Sequence, residues 1–162
     1  MSSPRRRRRL FGPSALALLC AVAGCSPAGG SVTAAVPSPA DSADRLCRNL
    51  HGALPERVDG LDRGDPTPAS ELTAAWGDPA IILRCGVPRP AKMNDPKADS
   101  VEVNGVGWLM EPQDDGTFRF TTALRRAYVE VTLPGSRKDR GLAPLTDLAE
   151  PVIAEVPEGI AD

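Results

Sequence analysis

Residues 101–134, VEVNGVGWLMEPQDDGTFRFTTALRRAYVEVTLP, decide the fold. Side chains of one face recur at every second position: Val101, Val103, Val106, Trp108 and Met110, then Phe118, Phe120, Thr122 and Leu124, then Val129, Val131 and Leu133. Successive side chains of an extended chain point to opposite sides, so this period marks strands with one buried face. Asn104-Gly105 suits either a two-residue hairpin turn or a bulge. Asp114-Asp115-Gly116 marks a further hairpin, and Arg125-Arg126 reads as a solvated turn before the last strand. Three strands joined by short turns make an antiparallel meander.

Upstream, residues 80–85 (AIILRC) are a short, nearly continuous apolar run that predicts a central strand. Earlier still the period changes. Ala43, Leu46, Cys47, Leu50, His51 and Leu54 form one stripe of an amphipathic helix, which Asp41 or Ser42 should cap and Pro55 should end. Residues 56–70 carry turn signals at Asp59-Gly60, Gly64-Asp65-Pro66 and Pro68 and read as an irregular connection. A short helix capped by Ser70 is expected over 70–76. Downstream, Leu145, Leu148, Ala149, Val152, Ile153 and Val156 make a second helical stripe. Pro151 falls inside it at a cost of about 3 kcal/mol, so the helix is either kinked there or starts there. The expected class is α+β: an antiparallel sheet with one face covered by N- and C-terminal helices, in a single domain over 41–162 without internal repeats.

Ahead of that domain the composition is different. Residues 5–9 are all arginine, and the run over 10–23 is apolar apart from Gly12, Pro13 and Ser14. A charged start, a short apolar stretch and small residues before a cleavage point make a secretory signal peptide over 1–24. The run is shorter than the about 20 apolar residues of a membrane span. Val22-Ala23-Gly24-Cys25 resembles the lipobox of bacterial lipoproteins. That resemblance implies a diacylglyceryl group on the Cys25 thiol, cleavage just before it, and loss of Cys20 with the signal. Arg7-Arg8-Arg9-Leu10-Phe11 also fits a twin-arginine signal, so either export route remains open. Residues 25–40 are uncharged and rich in Ser, Pro, Ala and Gly, the composition of a flexible tether. Without the five signal arginines, 14 basic side chains face 21 acidic ones, a formal net of −7. Such a surface disfavours nucleic acid. The expected location is the outer face of the cell membrane, reached through lipid on Cys25.

With that lipobox in front, the segments AAWGDPAIILRCGVP (74–88), VNGVGW (103–108) and YVEVTLP (128–134) follow in order. On these the chain resembles an actinobacterial family catalogued as domain of unknown function 3515, over roughly 43–157. The resemblance implies an exported or lipid-anchored envelope protein. It carries no assigned activity and no catalytic residues.

Cys47 and Cys85 are the cysteines of the domain, and an even pair in an oxidising compartment reads as a disulfide. Its rival is a metal site in which Cys47 and His51, one helical turn apart, join Cys85; a fourth ligand is missing. Buried free thiols are the remaining alternative. His51 is the only histidine, so any Ser-His-Asp or Cys-His mechanism must use it, but its stripe should face the core. Asp62, Asp65, Asp114 and Asp115 sit in turn-rich sequence where solvated carboxylates belong. Gly105 and Gly107 lack the spacing of a phosphate loop, and no cofactor is expected. Trp76, Trp108 and Tyr128 either form an aromatic binding surface or pack the core, the second being the commoner use of scarce aromatics. The leading expectation is a non-catalytic binding module for an envelope protein or cell-wall component, working through loops 56–70 and 86–100. An envelope enzyme and a metal-holding lipoprotein are the alternatives.

Overall fold

The structure is a computed structural model that describes residues 32–161. The expected signal peptide, Cys25 and the first part of the expected tether lie outside the described residues. Helix α1 (Asp41–Ala53) is followed by strands β1 (Arg57–Val58), β2 (Leu61–Gly64), β3 (Thr73–Trp76) and β4 (Ile81–Cys85). After a long connection come β5 (Ser100–Val103), β6 (Val106–Pro112), β7 (Phe118–Thr122), β8 (Val129–Leu133) and helix α2 (Ala143–Glu155). The eight strands form one antiparallel sheet in the order β1-β2-β3-β4-β8-β7-β6-β5. The meander is present with one more strand than expected, because Asn104-Gly105 is a hairpin turn. Both residues have positive φ (49° and 80°), as a two-residue turn between strands of native twist requires.

Both helices pack on one face. Ala43, Cys47 and Leu50 of α1 and Leu145, Leu148, Ala149 and Val152 of α2 are buried against Trp76, Leu83, Trp108, Phe120, Val129 and Val131 of the sheet. Pro151 lies inside α2 and neither starts nor ends it. Tertiary burial of this apolar face outweighs the proline's local penalty, as it does for most helices too short to stand alone. Among the described residues no helix is long and apolar enough to cross a membrane.

Four local expectations are corrected. Residues 56–70 contain the β1–β2 hairpin, whose turn is Asp59-Gly60. Residues 73–76 are strand rather than helix. Ser70 produced the helical signal because its hydroxyl accepts from the Leu72 N–H, a side-chain turn that uses the same bond as a helix cap. No side chain caps α1; Asp41 and Asp44 instead place negative charge in its first turn, where the helix dipole favours it. The second part of the expected tether, from Val32 on, lies against the domain: Thr33 bridges Thr67, and Ala34 is buried.

Strand order also explains the long connection 86–99. β4 and β5 are consecutive in sequence, yet β8, β7 and β6 stand between them. At about 4.8 Å per strand the chain must travel roughly 19 Å sideways. It does so on the face opposite the helices, where Met93 and Ala98 approach Leu109 and Ser100.

Candidate functional site

The face opposite the helices carries the alternate residues of each strand. Across it runs a row of charges, Arg84 on β4, Glu130 on β8, Arg119 on β7 and Glu111 on β6. Arg84 Nε lies 3.0 Å from Glu130 Oε1, and Arg119 Nε lies 3.3 Å from Glu111 Oε2 and 4.0 Å from Glu130 Oε2. Each carboxylate is thus engaged by an arginine. That arrangement braces the sheet face.

At the end of the sheet where β4 stops and β8 begins, the chain builds a groove. Gly86, at φ +88°, donates its N–H to the Tyr128 carbonyl and lets the Pro39 ring approach to 2.6 Å of where a Cβ would sit. Two cavities meet here and share Arg89 and Tyr128. One, of about 360 Å³, lies between the connection 86–99 and the sheet, against Met93, Leu109, Leu124 and Ile160. The other, of about 570 Å³, lies against Pro39, Val87, Pro88 and Ala127. Arg89 is the one charged side chain among the described residues lining them. It is exposed, and it donates to Asn94 Oδ1 and the Met93 carbonyl, which fixes its guanidinium at the junction.

Arg125 underpins this end. Expected as a solvated turn residue, it is 4% exposed and donates to the carbonyls of Val156 and Gly105, each at 3.1 Å. Val156 closes the C-terminus of α2, where the helix dipole favours a cation, so burial without a carboxylate is tolerated. The sequence signal for this role is weak: a guanidinium fork with two carbonyls to satisfy looks identical to a solvated one.

The expected site residues are scattered differently. Cys47 and Cys85 form a disulfide with Cα atoms 5.4 Å apart, joining α1 to the end of β4. Bridged sulfurs are not thiolates, so the metal set of Cys47, His51 and Cys85 is not formed. Among the described residues no group of three His, Cys, Asp or Glu side chains is placed to hold a metal ion. His51 is half-buried, and its Nε2 lies 3.0 Å from Arg63 Nη2. Burial first, and the Arg63 charge second, lower its pKa, so Nε2 serves as the acceptor of a neutral ring. Trp76 and Trp108 are fully buried on the helix face; Trp76 Nε1 donates to the Pro55 carbonyl. They make no aromatic binding surface. Tyr128 projects from the other face into the groove wall. Of the two expected loops, 86–100 builds the groove and 56–70 lies toward the far edge of the sheet.

Fold and groove define a small single-domain α+β protein with one sheet face closed by helices and a shallow, mostly apolar cleft at one end. The chain belongs to the family described as protein of unknown function DUF3515, whose model matches residues 14–160. No curated protein and no solved structure matches it.

Proposed function

We propose that the chain is a cell-envelope protein, held at the outer face of the membrane by lipid on Cys25, that acts as a non-catalytic binding module. Its contact surface is the groove along Tyr128 and Arg89, and its partner is another envelope protein or a cell-wall component. The observation that carries the binding role is the make-up of the groove. Two adjoining cavities are walled mostly by apolar side chains, with a single positioned cation between them among the described residues. Such a lining recognises shape and one anionic group; it supplies no nucleophile, base and orienter in mutual reach. The signal peptide and lipobox pattern support the location.

The test is affinity capture from crosslinked cells of the wild-type chain, Cys25→Ala and Arg89→Glu. Arg89 is exposed, so its replacement leaves the fold intact. A common partner should be captured by the wild type and lost with Arg89→Glu, while Cys25→Ala should leave the membrane fraction. Undiminished capture by Arg89→Glu would refute the groove, and a mature wild-type chain whose intact mass carries no lipid on Cys25 would refute the anchor.

A further inference from the structure

Four large apolar side chains are exposed among the described residues: Val36 (40%), Leu124 (75%), Ile153 (45%) and Ile160 (76%). Exposed apolar residues scattered singly over a surface carry no message. These are not scattered. Leu124 lies in the β7–β8 connection, and its carbonyl accepts from the Gly159 N–H next to Ile160. Ile153 stands over Gly105, in the β5–β6 turn, and Arg125 links that turn to the end of α2. Val36 lies on the segment that runs from the Thr33–Thr67 bridge to Pro39, packed on Gly86. By strand direction all of these connections emerge at one end of the sheet, the groove end. The opposite end carries Asp59, Arg137, Arg140 and the Asp114-Asp115 turn.

Leu124 is the most informative of the four. Its φ is +53°, a left-handed conformation that glycine or asparagine adopts readily and a leucine does not. A position that is exposed and left-handed favours a small polar residue twice over. A bulky apolar residue held there against both preferences points to a use for the side chain itself.

We propose that this end of the sheet rests on a phospholipid bilayer, with Leu124 and Ile160 inserted among the headgroups. Two further observations favour lipid as what meets the rim at Leu124 and Ile160, so that the partner proposed for the groove is met at the membrane surface. Arg89 and Arg126 are exposed at the same end and, among the described residues, have no ion-pair partner; Glu158, paired through its backbone with Arg125, is the exposed carboxylate beside Arg126. The two arginines are placed for lipid phosphates, as cations flanking interfacial apolar residues are. Moreover Val32, the first described residue, is followed by a segment lying along this end, and Cys25 precedes it by seven residues, a reach of at most about 25 Å. Only this last step rests on the reading of Cys25 as the anchor.

The test uses the full mature chain reconstituted in vesicles of phosphatidylglycerol and phosphatidylcholine. Single thiols for an environment-sensitive label are introduced as Leu124→Cys, Ile160→Cys and, at the far end, Asp115→Cys. Labels at 124 and 160 should be quenched by doxyl-lipid and shielded from iodide, and the label at 115 the reverse. In the Leu124→Asn background, which keeps a residue tolerant of positive φ, the label at 160 should lose its shielding. Removing one large apolar side chain should lower the docked-to-undocked ratio roughly tenfold. An anchored protein with all three labels equally open to iodide would overturn the proposal. Labels at 124 shielded from both quenchers and crosslinking to each other would overturn it in favour of an interface between copies. Lipid contact by a chain found to carry no lipid on Cys25 would instead keep the docking and sink the anchor.

Discussion

Replacing both bridged cysteines by alanine tests how far the sheet depends on its one covalent link to α1. The bridge closes a sequence separation of 38 residues, worth about 4 kcal/mol in the chain-entropy account. Both sulfurs are almost wholly buried, between α1 and the end of β4, and deleting each removes roughly one methylene's worth of packing, about 0.8 kcal/mol. The double variant should therefore lose about 5–6 kcal/mol, a large share of the 5–15 kcal/mol typical of a domain. For roughly 130 ordered residues that corresponds to a fall in Tm of about 20 °C. Urea unfolding followed by tryptophan emission reads it directly, since Trp76 and Trp108 are both fully buried and report loss of the core. The m-value should rise slightly, because an unbridged unfolded chain exposes more surface. A loss under about 2 kcal/mol would refute this account of what the bridge does. So would labelling of both thiols in native protein isolated without reductant.

Two further outcomes follow from single side chains. His51 has its pKa lowered by burial and then by Arg63, so as pH falls through about 6.5 the unfolded chain gains a proton that the folded chain resists. Stability should be full above that pH, decline below it and level off beneath the folded pKa; His51→Gln, still able to accept from Arg63, should flatten this part of the profile, and an unchanged profile would count against it. Arg125→Met should cost about 3 kcal/mol by stranding the carbonyls of Val156 and Gly105, and Arg125→Lys should recover little, because an ammonium cannot reproduce the guanidinium fork. A loss below about 1 kcal/mol for Arg125→Met, measured by the same unfolding, would show those bonds to be dispensable.

Most of the sheet was legible because alternation is a strong signal when only one face is apolar, as in 118–122 and 129–133. Both helices were legible for the matching reason: Cys47, Leu50, Leu148 and Val152 recur at the helical period. The misreadings share a cause as well. β3 is buried on both faces, so TAAW shows no alternation, and Ser70 ahead of it imitates a helix cap. β1 and β2 are too short to show a period, and their turn residues dominate the stretch. The strand order was beyond reach, since nothing local announces that β8 returns to pair with β4. The groove depends on that return. It brings Tyr128 beside Gly86 and forces residues 86–99 across the sheet, so a site made of four separate connections had only two visible hints, the loop and the tyrosine.

The two ends of the sheet are held in different ways, and this bears on which end can serve as a contact surface. At the far end the Asp59 carboxylate, nearly wholly buried, receives Arg140 and Arg137, while the Asp59 N–H donates to Asp147 on α2. Hydrogen bonding from Arg140 leads the causes that hold the Asp59 carboxyl below its usual range. Its ion pairs are satisfied internally, which leaves that end's strongest charges little to offer a partner. Around Tyr128 the groove end is closed by neutral contacts: Arg125 spends its donors on backbone carbonyls, Pro39 packs on Gly86, and Gly159 bonds to Leu124, while nearer β3 Arg48 pairs with Asp44 and Glu71. Apolar side chains and the guanidinium groups of Arg89 and Arg126, without an ion-pair partner among the described residues, face outward there beside the exposed Glu158. Arg89 and Arg126 take part in none of the ion pairs that brace the described domain, so recognition through them would not compete with the contacts that stabilise the fold.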